Sequence, residues 1–167
     1  AAGGICGRLL KLKLDNDNWE AGRGHGYIKN YLNDNYFALP VVPSSEGLSA
    51  ASGDIEKSGM PVIGSDGMRI DQYQNPWMWP VATATVSQVR IMAKYAYDQG
   101  ARGFGIVYDT RYKFGVEGKD AYEKFVKTLP GATLVHAEGI EPGQPGYGPQ
   151  IRNLDGGCGS KCDALVM

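Results

Sequence analysis

The stretch TVSQVRIMAKYAYDQGARGFGIVYD (Thr85–Asp109) decides the fold class. From Thr85 to Gln99 its apolar residues recur at helical spacing. Val86, Val89, Ala93 and Ala96 form one stripe, with Ile91 and Tyr95 beside it. Gly100 ends the helix as a cap. Immediately beyond, Gly103–Tyr108 (GFGIVY) is a continuous apolar run of the kind that makes a strand buried on both faces. A helix passing through a Gly-Ala-Arg link into such a strand is part of a β-α-β arrangement.

The same alternation extends outward in both directions. Towards the C-terminus, Asp109–Phe114 is a polar loop, and Gly115–Thr128 a helix with Ala121, Tyr122, Phe125 and Val126 inward. Thr133–Ile140 is a strand, Gly143–Gly148 a flexible loop, Pro149–Leu154 a short helix and Asp163–Met167 a further strand. Towards the N-terminus, Trp77–Ala82 is a strand in which Pro80 marks an edge or an end. Pro61–Ile63 is a strand, Glu46–Lys57 a helix capped by Gly59, and Tyr36–Val42 a buried-type strand. Trp19–Asn33 reads as a helix weakened in its first half by Gly22, Gly24 and Gly26. In Arg8–Asp15, Leu10, Leu12 and Leu14 alternate with Lys11 and Lys13, a period-2 strand pattern. Strands and helices that alternate throughout imply an α/β fold: mostly parallel sheet with helices on both faces.

Bulk properties bound the function. A chain of 167 residues can bury a real core without staples. Its net charge of −1, with no long run of one sign, points neither to nucleic acid nor to an anionic membrane surface. Its 24 glycines are scattered among apolar segments, as tight strand–helix turns require. No apolar stretch approaches the roughly 18 residues of a membrane span. The N-terminus lacks a signal-peptide pattern, which fits either a removed signal or a cytosolic protein. Cys158 and Cys162 lie in a loop-like segment where a small disulfide ring is geometrically possible. A disulfide and two free thiols both stay open, since compartment decides. Cys6 is left over, buried or free.

In open α/β sheets ligands bind at the carboxyl ends of strands. Three segments end strands here. In Pro43-Ser44-Ser45-Glu46, hydroxyls and free N–H groups at a helix start suit a carboxylate, although Ser there can equally serve as an N-cap alone. In Gly64-Ser65-Asp66-Gly67, glycines let a ligand approach backbone amides, and Asp66 could receive an ammonium group or simply shape a turn. In Asp109–Gly115, Tyr112 or Phe114 could close over a ligand as an apolar lid.

Other motifs carry less. Gly22-Arg23-Gly24-His25-Gly26 has its third glycine one residue early for a dinucleotide fingerprint, and Asp15–Asn18 intervenes after the strand. His25 and His136 are the only histidines, with His136 inside an apolar strand. No G-x-S-x-G or H-E-x-x-H signature exists, and no cysteine or histidine set has metal-ligand spacing. No enzyme activity, cofactor or metal is therefore expected. Trp77 and Trp79 fall on one face of a strand and are expected to pack in a core or lobe, with an aromatic ligand platform as the lesser reading.

The segment order resembles the type I periplasmic binding proteins of the branched-chain amino acid (Leu/Ile/Val) transporter class. The resemblance runs through Ser44-Ser45, Gly59-Met60-Pro61-Val62-Ile63, the polar hinge Trp79-Pro80-Val81-Ala82-Thr83, and Gly100-Ala101-Arg102. It continues through Ile106-Val107-Tyr108-Asp109 to Phe114-Gly115 and ends at Gly139–Gln144. It implies a two-lobed fold, with residues 1–84 in the N-terminal lobe, 85–167 in the C-terminal lobe and a hinge near 83–86. It implies an extracytoplasmic solute-binding protein, periplasmic or extracellular and compatible with an upstream lipid anchor. Such a protein would take an amino acid or related small polar solute and hand it to a membrane ABC transporter permease. Ser44, Ser45, Glu46, Ser65, Asp66, Gly67, Tyr112 and Phe114 would form the site. Family members usually run to more than twice this length, so the resemblance also implies a partial chain, without the first strand and much of the second lobe. The alternatives are the ligand-sensing domain of a receptor, which shares the fold, and a flavodoxin-like α/β enzyme.

Overall fold

A computed structural model describes residues 4–167. In chain order the elements are α1 (Ala21–Asn33), β1 (Leu39–Pro40), α2 (Ser45–Ser58), β2 (Val62–Ser65), α3 (Asp71–Gln74) and β3 (Met78–Pro80). They continue with α4 (Thr85–Asp98), β4 (Gly103–Asp109), α5 (Lys113–Val126), β5 (Thr133–Ile140), α6 (Gly148–Gly157), a 3-10 turn at Gly159–Lys161, and β6 (Ala164–Val166). From Trp19 onward the alternation read from the sequence is observed, with α3 added and the expected buried-type strand Tyr36–Val42 reduced to Leu39–Pro40, Phe37 and Val41 beside it being exposed. Among the described residues the strands pair in parallel throughout, in two three-stranded sheets of order β1-β2-β3 and β5-β4-β6.

Register explains which residues are buried. In the first sheet Leu39, Val62 and Met78 lie side by side, and all three are buried. They face Ile28 of α1 and Leu48, Ala51 and Ile55 of α2. Each fully buried Leu or Ile there contributes about 1.5–3 kcal/mol. The two helices cross in backbone contact: a Cβ on Gly24 would stand 2.7 Å from the Cα of Gly47. The glycine that weakens α1 as a helix former is thus what lets α1 approach α2. Gly59 ends α2 in the left-handed region, φ 68°, where its N–H reaches the Ile55 carbonyl.

The second sheet is built on β4, with β5 and β6 on either side. Phe104 and Ile106 bury against Val89 and Ala93 of α4 and against Ala121, Tyr122 and Val126 of α5. Phe104 and Tyr122 meet edge to face at 6.3 Å. On the opposite face α6 packs on β5, and the Cys158–Cys162 disulfide, Cα–Cα 5.0 Å, seats against Gly105 of β4. That pairing resolves what the spacing left open. Cys6 is free and exposed. His136 bonds Glu138 at 2.9 Å along β5, a structural contact.

Three further expectations are corrected. Arg8–Asp15 is not a strand: its only backbone pairing is the isolated bridge of Arg8 to Ile5. Leu10, Leu12 and Leu14 are 80%, 67% and 82% exposed. Alternation sets which way side chains point, but a strand also needs a neighbour to bond, and among the described residues no strand lies beside this segment. Trp77 and Trp79 do not pack in a core. Trp79 stands in the solvent-facing register row Pro40–Ile63–Trp79, and Trp77 lies over Gly59 at the end of α2. Ile91 and Tyr95, placed beside the α4 stripe, are exposed as well.

Candidate functional site

The carboxyl ends of β1, β2 and β4 carry the three polar loops. After β1 the chain enters α2 through Ser44, whose Oγ caps the helix by accepting from the Gly47 N–H at 3.2 Å. The Ser44 hydroxyl itself donates to the Asp17 carboxylate. Ser45, fully buried, donates to Asp66 Oδ1 at 2.6 Å. The same oxygen accepts from Gln72 Nε2 at 3.0 Å and from the Met68 N–H at 3.3 Å. Gln72 Oε1 in turn accepts from the Gly67 N–H at 3.1 Å. Ser45, Asp66 and Gly67 therefore form one network, closed by a glutamine that sequence inspection did not single out. Two buried atoms at this spot have no hydrogen-bond partner: Ser65 Oγ and Asp66 Oδ2.

The second half supplies aromatic surface. Asp109 Oδ1 accepts from the N–H groups of Arg111 (2.7 Å) and Tyr112 (3.2 Å), folding the loop after β4 into a side-chain-closed turn. Tyr112 and Phe114 then stack, centroids 5.6 Å apart and planes 12° from parallel. The Arg111 guanidinium lies 4.6 Å over the Tyr112 ring and donates to its hydroxyl at 2.6 Å. Trp19 reaches Tyr112 from the first half, at 6.0 Å. Trp19 and Asn18 both hold left-handed backbone, φ 61° and 51°, a conformation that costs a non-glycine residue energy and turns the chain sharply ahead of α1. The row Trp19–Tyr112–Phe114 thus crosses from one half to the other.

Polar contacts cross too. Glu46 Oε1 accepts from the Lys113 N–H, at the start of α5, at 3.1 Å. Its other oxygen pairs with Arg69 at 3.4 Å, and Arg69 also reaches Glu117 of α5 at 3.2 Å. The eight residues expected from the sequence lie at these strand ends, with Ser44, Ser45, Ser65 and Gly67 buried beneath Glu46, Asp66, Tyr112 and Phe114, which are part-exposed. The structure adds Asp17, Trp19, Arg69, Gln72 and Glu117. Trp19 lay at the edge of an expected helix, and nothing in the local pattern around Arg69 distinguishes it from a surface charge.

A cavity of about 590 Å³ lies beside the site, between the extended segment 10–17, α1 and the free edge of β1, and shares Asp17, Trp19 and Ser44 with it. Its lining is mainly apolar, with Leu10, Leu12 and Leu14 facing Tyr27, Ile28 and Leu39. At its mouth the Tyr31 hydroxyl bonded to Asp15 holds that carboxyl below the usual range, and burial pushes Tyr31 up. Among the described residues, no group of His, Cys, Asp and Glu side chains is placed to hold a metal ion. No helix among them is long and apolar enough to cross a membrane.

A profile described as periplasmic binding protein matches residues 1–167. The chain belongs to the periplasmic binding protein family. That family is non-enzymatic, which decides against the flavodoxin-like enzyme. Solved members share the fold at low identity. A substrate-binding periplasmic protein from Ralstonia solanacearum superposes with a TM-score of 0.81 at 17% identity, covering 98% of this chain and 46% of its own. A type 1 periplasmic binding protein from Bordetella pertussis Tohama I gives 0.78 at 18%, covering 98% and 45%. An ABC-transporter solute-binding protein from Rhodopseudomonas palustris HaA2, solved with p-hydroxybenzoic acid, gives 0.75 at 14%, covering 92% and 41%. This periplasmic-binding-protein chain therefore spans less than half the length of the structures it matches. No curated protein sequence matches it significantly.

Proposed function

We propose that the protein is the extracytoplasmic solute-binding component of an ABC transporter. Residues 1–84 and 85–167 belong to two lobes that close by hinge motion near Thr83–Val86. The solute sits between the carboxyl ends of β1, β2 and β4. One observation carries this reading: a helix start with free N–H groups, at Ser44–Glu46, adjoins an aromatic row contributed by both halves. Such a pairing suits a small solute with a carboxylate at one end and an apolar body at the other. Ser44 and Ser45 hold the polar head, Ser65, Asp66 and Gly67 orient it, and Tyr112 and Phe114 cover the body. A membrane permease then receives the loaded form.

An amino acid meets this description. An aromatic carboxylic acid is the second reading, favoured by the near-parallel Tyr112–Phe114 stack. The relatives solved with benzoate and 4-hydroxybenzoate support it only as a fold-level analogy. Calorimetric titration with a panel of L-amino acids, benzoate and 4-hydroxybenzoate separates the two. Tyr112→Ala is expected to weaken the solute bound by about 10-fold or more, the scale of a buried aromatic contact. Binding of neither class, or binding that Tyr112→Ala leaves unchanged, refutes this site.

A further inference from the structure

Arg69 lies between the two halves and is only 8% exposed, the one buried cation among the described residues. Its guanidinium faces three carboxylates. Nη1 is 3.4 Å from Glu46 Oε2, and Nη2 is 3.2 Å from both Asp71 Oδ2 and Glu117 Oε1. Glu46 and Asp71 belong to the first half, Glu117 to α5 of the second. The Ser49 hydroxyl donates to Asp71 Oδ1 at 2.9 Å, and the Lys113 N–H supports Glu46, so two of the carboxylates have further donors. Glu117 has none: its Oε2 is buried without a partner, as is Arg69 Nε.

We infer that Arg69 is a positioning residue that latches the two halves together. The inference rests on the two-lobed reading above, in which their approach closes the solute site. The charge balance supplies the reason. One cation offsets three carboxylates drawn from both sides of the gap, so Arg69 acts twice: it attracts Glu117 across the gap and cancels the repulsion of Glu117 from Glu46 and Asp71. Glu117, with no second donor, is held by Arg69 alone. Loss of Glu117 removes the bond. Loss of Arg69 removes the bond and exposes the repulsion, because buried carboxylates without a cation repel strongly in a poorly polarisable interior.

The test measures separation directly and needs no solute. Spin labels attached through maleimide chemistry at Glu56→Cys on α2 and Lys124→Cys on α5, in a Cys6→Ser background, report the distance between halves by electron–electron double resonance. Both labelled positions are exposed. With Arg69 intact a single short distance is expected to dominate. Glu117→Gln should raise the ratio of separated to joined molecules about 10-fold, the size of one charge-assisted hydrogen bond. Arg69→Gln should raise it further, and Arg69→Gln/Glu117→Gln should fall back towards the Glu117→Gln value. That reversal is the signature of repulsion, which a residue needed only for folding would not give. Superimposable distributions in the parent, Glu117→Gln and Arg69→Gln overturn the latch, as does a double variant no closer than Arg69→Gln alone. If Arg69→Gln fails to fold, the Glu117→Gln distribution decides by itself. A protein that latches but binds neither amino acids nor benzoates would refute the function while leaving the latch standing.

Discussion

Tyr122 is the largest fully buried side chain, and its hydroxyl has no hydrogen-bond partner. Burial pushes that hydroxyl up to about 12, so it stays protonated and needs an acceptor it does not have. An unpaired buried hydroxyl costs about 1–3 kcal/mol. Tyr122→Phe keeps the edge-to-face contact with Phe104 and removes that cost. It is expected to leave stability unchanged or to raise it by about 1 kcal/mol, a melting shift of about 2–4 °C for a chain of this size. A loss of stability in thermal unfolding would show that the hydroxyl is paired. At this scale the sequence was a fair guide to burial: Tyr122, Val126, Val89 and Ala93 were read as inward and are inward. It was a poor guide to charge, since Arg69 is recognisable only once Glu46 and Glu117, from distant segments, join Asp71 around it.

At the scale of elements, β6 is tied to the start of β4 by one side chain. Asp163 Oδ2 accepts from the N–H groups of Arg102 and Gly103, each at 2.8 Å. The bond from Gly103, then that from Arg102, holds the carboxyl below its usual range. A carboxyl lowered in the folded state contributes stability that is present above the unfolded-state value and is lost as pH falls through the folded one. Asp163→Ala should therefore be less stable than the parent at neutral pH. In urea titrations the difference should shrink steadily as pH drops below the ordinary carboxylate range. A difference that persists undiminished at acid pH would assign the effect to packing. Most elements were legible because their pattern is local: the α4 stripe and the apolar runs of β4 and β5 each carry their own period. The segment at Arg8–Asp15 was misread because pairing depends on a neighbour that periodicity does not report.

At the scale of the molecule, the two sheets have separate cores with no buried residue in common. Contacts between the halves are few, mainly polar or aromatic, and run through Glu46, Arg69 and Trp19. Domains joined this way can unfold in separate steps. All three tryptophans lie in the first half, Trp77 and Trp79 away from the second and Trp19 against its Tyr112, so emission reports mainly on the first half, whereas helical signal comes from both. Denaturant unfolding followed by tryptophan emission and by far-ultraviolet dichroism should give transitions that do not coincide. Leu48→Ala, a core truncation costing about 2–5 kcal/mol, should move the emission transition and leave the later or earlier dichroism step in place. Coincident transitions that shift together would mean the halves fold as one unit.

The sequence by itself determined the alternation of helices and strands, the α/β class, the inward faces of α4 and α5, and the three polar strand-end loops. These follow from local period and turn chemistry, which neighbouring residues carry along the chain. Tertiary structure alone decided three other matters. It set the order of strands within each sheet, β1-β2-β3 and β5-β4-β6, because strand partners are chosen by packing across long sequence separations. It left Leu10, Leu12 and Leu14 unpaired, because alternation names a face and not a neighbour. It also set Arg69 among carboxylates from both halves and laid Trp19 on Tyr112, because charge and aromatic contacts between distant segments exist only after the chain has folded.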